Sequence, residues 1–150
     1  MKIFIGADHR GFKLKNKIVE FLKKKGYALT DLGTYQDEVS SDYPEISYKV
    51  ARRVAKAKGS RGILICMSGI GHTIAANKIP GAYAALCYNQ RAAVLSREHN
   101  DANILVLGAK FVSPKNFAKI IQIWLTTKFE GGRHLRRVNQ IKAIEKKKLQ

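Results

Sequence analysis

The sequence predicts an α/β fold of one domain, three α/β/α layers around a five-stranded parallel sheet of Rossmann-like type. Three observations lead there. Short apolar runs of strand length alternate with amphipathic stretches of helix length along the chain. Gly26, Gly33, Gly59 and Gly108 fall where such elements should stop. At 150 residues, with no internal repeat or low-complexity linker, the chain has the length of one domain. A chain of that size buries about 70% of the surface its unfolded form exposes.

Residues 2–7 form the first strand, and Asp8-His9-Arg10-Gly11 leads into a helix. Leu14, Ile18, Phe21 and Leu22 share one face of that helix, with Lys13, Lys15 and Lys17 placed off it. Gly26 ends it from the C′ position. Residues 27–32 are the second strand, and 36–41 a polar loop. A helix then starts with Asp42 as cap and Pro44 in its first turn, presenting Ile46, Val50 and Val54 to about residue 58. Residues 63–66 are the third strand and 82–87 the fourth, with Cys87 in the core. Between them, residues 73–78 are helix-compatible. The helix over 89–99 carries Ala92, Val94 and Leu95, and residues 104–107 are the fifth strand. Ser113-Pro114 opens a helix to 126 that is apolar nearly all round, suited to burial between layers or between subunits. After a break at 129–132, the last helix (133–147) has Val138, Ile141 and Ile144 on one side and a basic tail.

The formal net charge is +17, with clusters at Lys23-Lys24-Lys25, Arg52-Arg53 and Lys146-Lys147-Lys148. Such charge suits polyanions. No helix-turn-helix, zinc-finger or aromatic-basic signature accompanies it, so solvated helix faces explain it better than nucleic acid. No segment is apolar for long enough to span a membrane, and the two cysteines form neither a disulfide framework nor a metal-ligand pattern. The expectation is a cytoplasmic protein without a resident metal or cofactor.

The stretch with most chemistry is 62–78, GILICMSGIGHTIAANK. A buried strand ends at Cys66, and a turn of Met67, Ser68, Gly69, Ile70 and Gly71 leads into helix. That arrangement directs backbone N–H groups at one small volume and should stabilise an anion. The same field would lower the pKa of Cys66, making it a nucleophile or base; the plainer alternative is a small core residue at a tight turn. Ligands of open parallel sheets bind beyond the C-terminal strand ends. Asp8, His9, Cys66, Ser68 and Lys110 are therefore expected on one rim, with the loop carrying His99 approaching it. Arg133 and Arg137, one helical turn apart, share a face that could grip a dianion.

These motifs together resemble the type B ribose-5-phosphate isomerases, related to isomerases of galactose 6-phosphate and allose 6-phosphate. The likeness rests on GADHRGF at 6–12, SDYP at 41–44, the 62–78 stretch, SREHNDANIL at 96–105 and EGGRHLRRV at 130–138. It implies metal-independent aldose–ketose interconversion through an enediol, in a homodimer or homotetramer whose sites are shared across a subunit interface. It further implies that Cys66 moves the proton between C1 and C2, with Ser68 and the amides of residues 67–71 holding the enediolate. By the same likeness His99 opens the furanose ring, Asn100 holds it, and Asp8 bonds sugar hydroxyls. His9, Arg133 and Arg137 bind phosphate. The chain departs from the family pattern at Met67, where glycine is usual, at Ser68, where threonine is commoner, and at Lys110, where arginine is common. Lys110 keeps the charge but not the bidentate geometry. Two other readings stand beside a ribose 5-phosphate isomerase: a hexose-6-phosphate isomerase, and a non-catalytic polyanion-binding protein on the same fold. His72 and His134 are left without an assigned role.

Overall fold

Five parallel strands form the sheet in the order β2-β1-β3-β5-β4. They are β1 (Lys2–Ala7), β2 (Ala28–Asp31), β3 (Arg61–Cys66), β4 (Ala84–Leu86) and β5 (Ile104–Gly108). The computed structural model describes residues 1–147, so Lys148 of the C-terminal cluster lies outside the described residues. The helices are α1 (Phe12–Lys24), α2 (Tyr43–Lys56), α3 (Ile70–Ala76), α4 (Gln90–Glu98), α5 (Phe117–Thr126) and α6 (Gly132–Glu145). No helix among the described residues is long and apolar enough to cross a membrane.

The central strands β1, β3 and β5 are buried on both faces, which is why they read as continuous apolar runs. One face packs on α1, α4 and α5 through Leu14, Ile18, Leu22, Ala93, Phe117, Ile121 and Trp124. The other packs on α2 and α3 through Ile46, Val50, Val54 and Ala76. These are the three expected layers. The chain leaves β1 toward β2 on one side and returns to β3 on the other. The ends of β1 and β3 thus flank the switch point, where open sheets bind ligands.

Several local expectations are corrected. Lys15 is not off the apolar face but buried, held by Asp31 at 2.5 Å and lying near the rings of Phe12 and Tyr35. A buried ammonium needs such a carboxylate partner, and the partner comes from β2, distant in sequence. Asp42 occupies the N-cap position of α2, but its side chain makes no capping bond. Helix α5 begins at Phe117 rather than Pro114, because Ser113 closes a turn onto Asn116. It is also one-sided: Phe117, Ile120, Ile121 and Trp124 are buried, while Ile123 and Leu125 are partly so. In α4 the buried side chains are Ala93, Ser96 and Arg97, not Val94 and Leu95; Trp124 Nε1 donates to Ser96 Oγ at 3.2 Å. In α6 only Val138 of the three expected residues is buried. Ile141 and Ile144 are 41% and 64% exposed and line a groove beside the edge strand β4.

Candidate active site

Asp8 follows β1 and Cys66 ends β3, so the switch point brings their side chains together. Asp8 accepts the Gly11 N–H on Oδ1 at 2.9 Å, and its own amide bonds the Ile65 carbonyl at 3.3 Å. Gly11 permits this closure: a Cβ there would lie 2.2 Å from the Ile65 oxygen. The turn after Cys66 closes through Gly69, whose φ of +87° suits glycine and whose N–H donates to Cys66 Sγ at 3.0 Å. A Cβ at Gly69 would strike Leu86 at 2.3 Å, and one at Gly71 the Tyr43 ring at 2.6 Å. The Ile70 amide donates to Ser68 Oγ at 3.3 Å. Met67 and Ile70 are exposed around this turn, and the Lys110 amide ties β5 to it through the Met67 carbonyl at 3.0 Å.

The expected lowering of the Cys66 pKa is reversed in the isolated chain. Burial pushes the thiol up, the nearby Asp8 carboxylate adds to that, and the Gly69 and Ser68 amides oppose it without winning. Burial also raises Asp8, against the Gly11 bond and the Arg10 charge. The turn amides therefore favour a thiolate once formed but do not by themselves create one.

His9 is fixed by the SDYP segment. Its N–H donates to Ser41 Oγ at 3.0 Å, and its Nδ1 accepts the Ser41 N–H at 3.3 Å. The neutral ring then carries its proton on Nε2 as a donor. Arg10 and Lys13 line the same shallow depression, with Lys13 paired to Asp37 at 3.3 Å. Nothing in the sequence marks either cation as a site residue, because lysines and arginines are so numerous in this chain.

The remaining expected site residues lie elsewhere. Helix α4 leaves the C-terminal end of β4 and runs back, so His99, its C-cap, sits at the opposite rim beside the start of β5. Helix α5 returns the chain to that same rim, where α6 begins. The His99 ring stacks on His134 at 4.1 Å with 7° between planes, and His134 Nε2 lies 3.3 Å from Glu130. Arg133 and Arg137 project from this start of α6. Burial, then the charges of His99 and Arg133, hold His134 below its usual pKa. Arg97 anchors the His99 loop by bonds to Asp101 at 2.7 Å and to the Ala102 carbonyl at 2.6 Å. Asn100 is exposed and lines the groove formed by β4, Ile141 and Ile144. The expectation that the His99 loop approaches Cys66 therefore fails within one chain, because a βα unit returns its helix to the other end of the sheet.

The whole arrangement matches known proteins closely. Residues 3–141 match the family described as Ribose/Galactose Isomerase. Ribose-5-phosphate isomerase B of Escherichia coli is 44% identical over 147 residues, covering 98% of both chains. The solved structure of Clostridium thermocellum ribose-5-phosphate isomerase B superposes with a TM-score of 0.94 at 51% identity, covering 97% of this chain and 98% of that one. The crystal structure of the Mycoplasma genitalium ribose-5-phosphate isomerase B with bound ribulose-5-phosphate gives a TM-score of 0.94 at 42% identity, covering 98% and 97%. With the motifs, the topology and these likenesses in agreement over nearly the full length, the chain belongs to the ribose/galactose isomerase family and is a sugar-phosphate isomerase.

Proposed function

We propose that this isomerase interconverts ribose 5-phosphate and ribulose 5-phosphate through an enediol, with Cys66 as the base. The observation that carries the reading is the convergence of Cys66 Sγ, the Gly69 amide and Asp8 at the switch point. Moving a proton between adjacent carbons needs a base at those carbons and donors for the oxygen that becomes negative. Cys66 removes the C2 proton of the open aldose and returns it to C1. Ser68 Oγ and the turn amides stabilise the enediolate, and Asp8 orients the sugar hydroxyls. A positioned base contributes about 10²–10⁴-fold, and an oxyanion donor about 3 kcal/mol.

His99, Asn100, Arg133 and Arg137 serve the site from a second copy of the chain, as a homodimer or a larger assembly. The separation of the two rims supports this, as do the exposed Ile141 and Ile144 of α6. Arg133 and Arg137 of one copy then join His9, Arg10 and Lys13 of the other around the phosphate, with Lys110 adding charge from the β5 side. Their positive charge also favours the Cys66 thiolate, against the burial that raises its pKa in the isolated chain. His99 opens the furanose ring and takes no part in the carbon-bound proton transfer.

The test uses deuterated solvent and two substrates. Cys66→Ala should abolish isomerisation and deuterium incorporation at C2; exchange surviving in that variant removes Cys66 as base. A four-carbon aldose 4-phosphate cannot cyclise through its esterified hydroxyl. His99→Asn should therefore lose much more rate on ribose 5-phosphate than on the four-carbon sugar, each against wild type. Equal fractional losses remove the ring-opening role. Allose 6-phosphate assayed alongside decides the sugar length, which Met67 at the rim of the turn can influence.

A further inference from the structure

His72, in α3, has no part in the reaction above, yet its ring is fully buried beside Cys66. The Ser47 hydroxyl donates its one proton to the Tyr43 carbonyl at 2.9 Å. The same Ser47 oxygen lies 2.6 Å from His72 Nδ1 and ties that side of the ring to α2. Nε2 is buried and has no hydrogen-bond partner among the described residues. A buried ring nitrogen left dry in this way is uncommon and calls for a ligand or an explanation.

The ligand is suggested by its neighbours. The donor atoms of Asp8, Cys66 and His72 all lie within 4.8 Å of one another, and the three residues come from separate places in the fold. Asp8 uses Oδ1 on the Gly11 amide, which leaves Oδ2. A tetrahedral Zn²⁺ with bonds of about 2.0–2.3 Å sets its donors roughly 3.3–3.8 Å apart. Closing the group around an ion therefore needs side-chain shifts on the order of 1 Å. A metal-bound imidazole is usually held by a hydrogen bond at its far nitrogen, and Ser47 is in place to make one at Nδ1. Carboxylate, thiolate and imidazole together suit a borderline or soft cation rather than Mg²⁺ or Ca²⁺. Cys66 and Asp8 each keep a small exposed area on the rim, which gives the ion its way in.

We propose that Asp8, Cys66 and His72 bind a thiophilic divalent cation of the Zn²⁺ class, and that the bound ion blocks the isomerase. Binding forms a metal–sulfur bond, releases the thiol proton to solvent and leaves a fourth position for water; no electrons are exchanged. The inhibition rests on Cys66 being the base. The binding does not.

The experiment titrates the full chain with Co²⁺ and then Zn²⁺ under anaerobic, chelator-free conditions. Expected is a thiolate-to-cobalt absorption band saturating at one ion per chain, lost in Cys66→Ala and displaced by Zn²⁺. The band reports this site, because the other metal-competent group among the described residues, His99, Glu130 and His134, contains no sulfur. His72→Leu should weaken Zn²⁺ at least tenfold while keeping near wild-type kcat/KM in chelator. Ser47→Ala keeps the ring but frees it, and should cost about 10–100-fold in affinity. No cobalt band in the wild-type protein overturns the site, as does unchanged Zn²⁺ affinity in folded His72→Leu and Ser47→Ala. Binding that leaves turnover intact overturns the inhibition and Cys66 as base, while the metal site stands.

Discussion

The separation of the two rims leads to a complementation experiment. Gly62 is in register with Ile104 and Cys66 with Gly108. Four strand steps at about 3.3 Å each put the two ends of β5 roughly 13 Å apart. Helix α4 spans nine residues, and at about 1.5 Å per residue it carries His99 back by a similar length. A ring-opening histidine must come within about 3 Å of the sugar, directly or through one water. On the proposed roles, His99 cannot serve the Cys66 of its own chain, so each site would take Cys66 from one copy and His99 from another. Cys66→Ala and His99→Asn should each be defective when assembled alone. Mixed in equal amounts, dissociated and reassembled, they pair at random. A given site then has about a half chance of an intact Cys66 and an independent half chance of an intact His99. About one quarter of the sites are whole, whatever the size of the assembly. The assay is ribose 5-phosphate turnover before and after reassembly, with the two chains tagged differently to verify mixing. Activity near one quarter of wild type is expected. Verified mixing with no gain over the two parents would refute the shared site, and with it the roles given to Arg133 and Arg137.

Two further outcomes follow from the packing. Gly11→Ala puts a Cβ against the backbone oxygen of Ile65, which cannot swing aside as a side chain would. It should lower unfolding stability by about 2–3 kcal/mol, read by urea titration, and a variant as stable as wild type contradicts the tight Asp8 loop. Cys87 is buried between β4 and α4, and burial pushes its thiol up to about 11 from 9.0. The folded state then holds the proton longer than the unfolded state. Its contribution is complete below pH 9 and is lost as pH rises through 11, amounting to about 2–3 kcal/mol. Cys87→Ala should accordingly narrow the stability difference between pH 8 and pH 11, measured by denaturant titration at each pH; an unchanged difference excludes Cys87 as its source.

The sequence by itself determined the order of strands and helices, because alternating apolar runs and glycine stops are local features. It also determined which residues end β1 and β3. Asp8 and Cys66 were therefore legible as rim partners from the parallel-sheet rule alone. The motif set carried the family. Tertiary structure decided the rest, for reasons of distance along the chain. Lys15 reads as one more surface lysine until Asp31 of another strand lies against it. The thiol of Cys66 looks activated from its turn, but its pKa depends on how much water burial removes and on a carboxylate from β1. Ile141 and Ile144 follow the apolar period of a core-facing helix, yet among the described residues of one copy both stay exposed. His99 and Cys66 belong to one chemistry in the motif set, while the chain's own topology holds them at opposite ends of the sheet. Periodicity records which face of an element is apolar. Only the packed molecule fixes what that face meets.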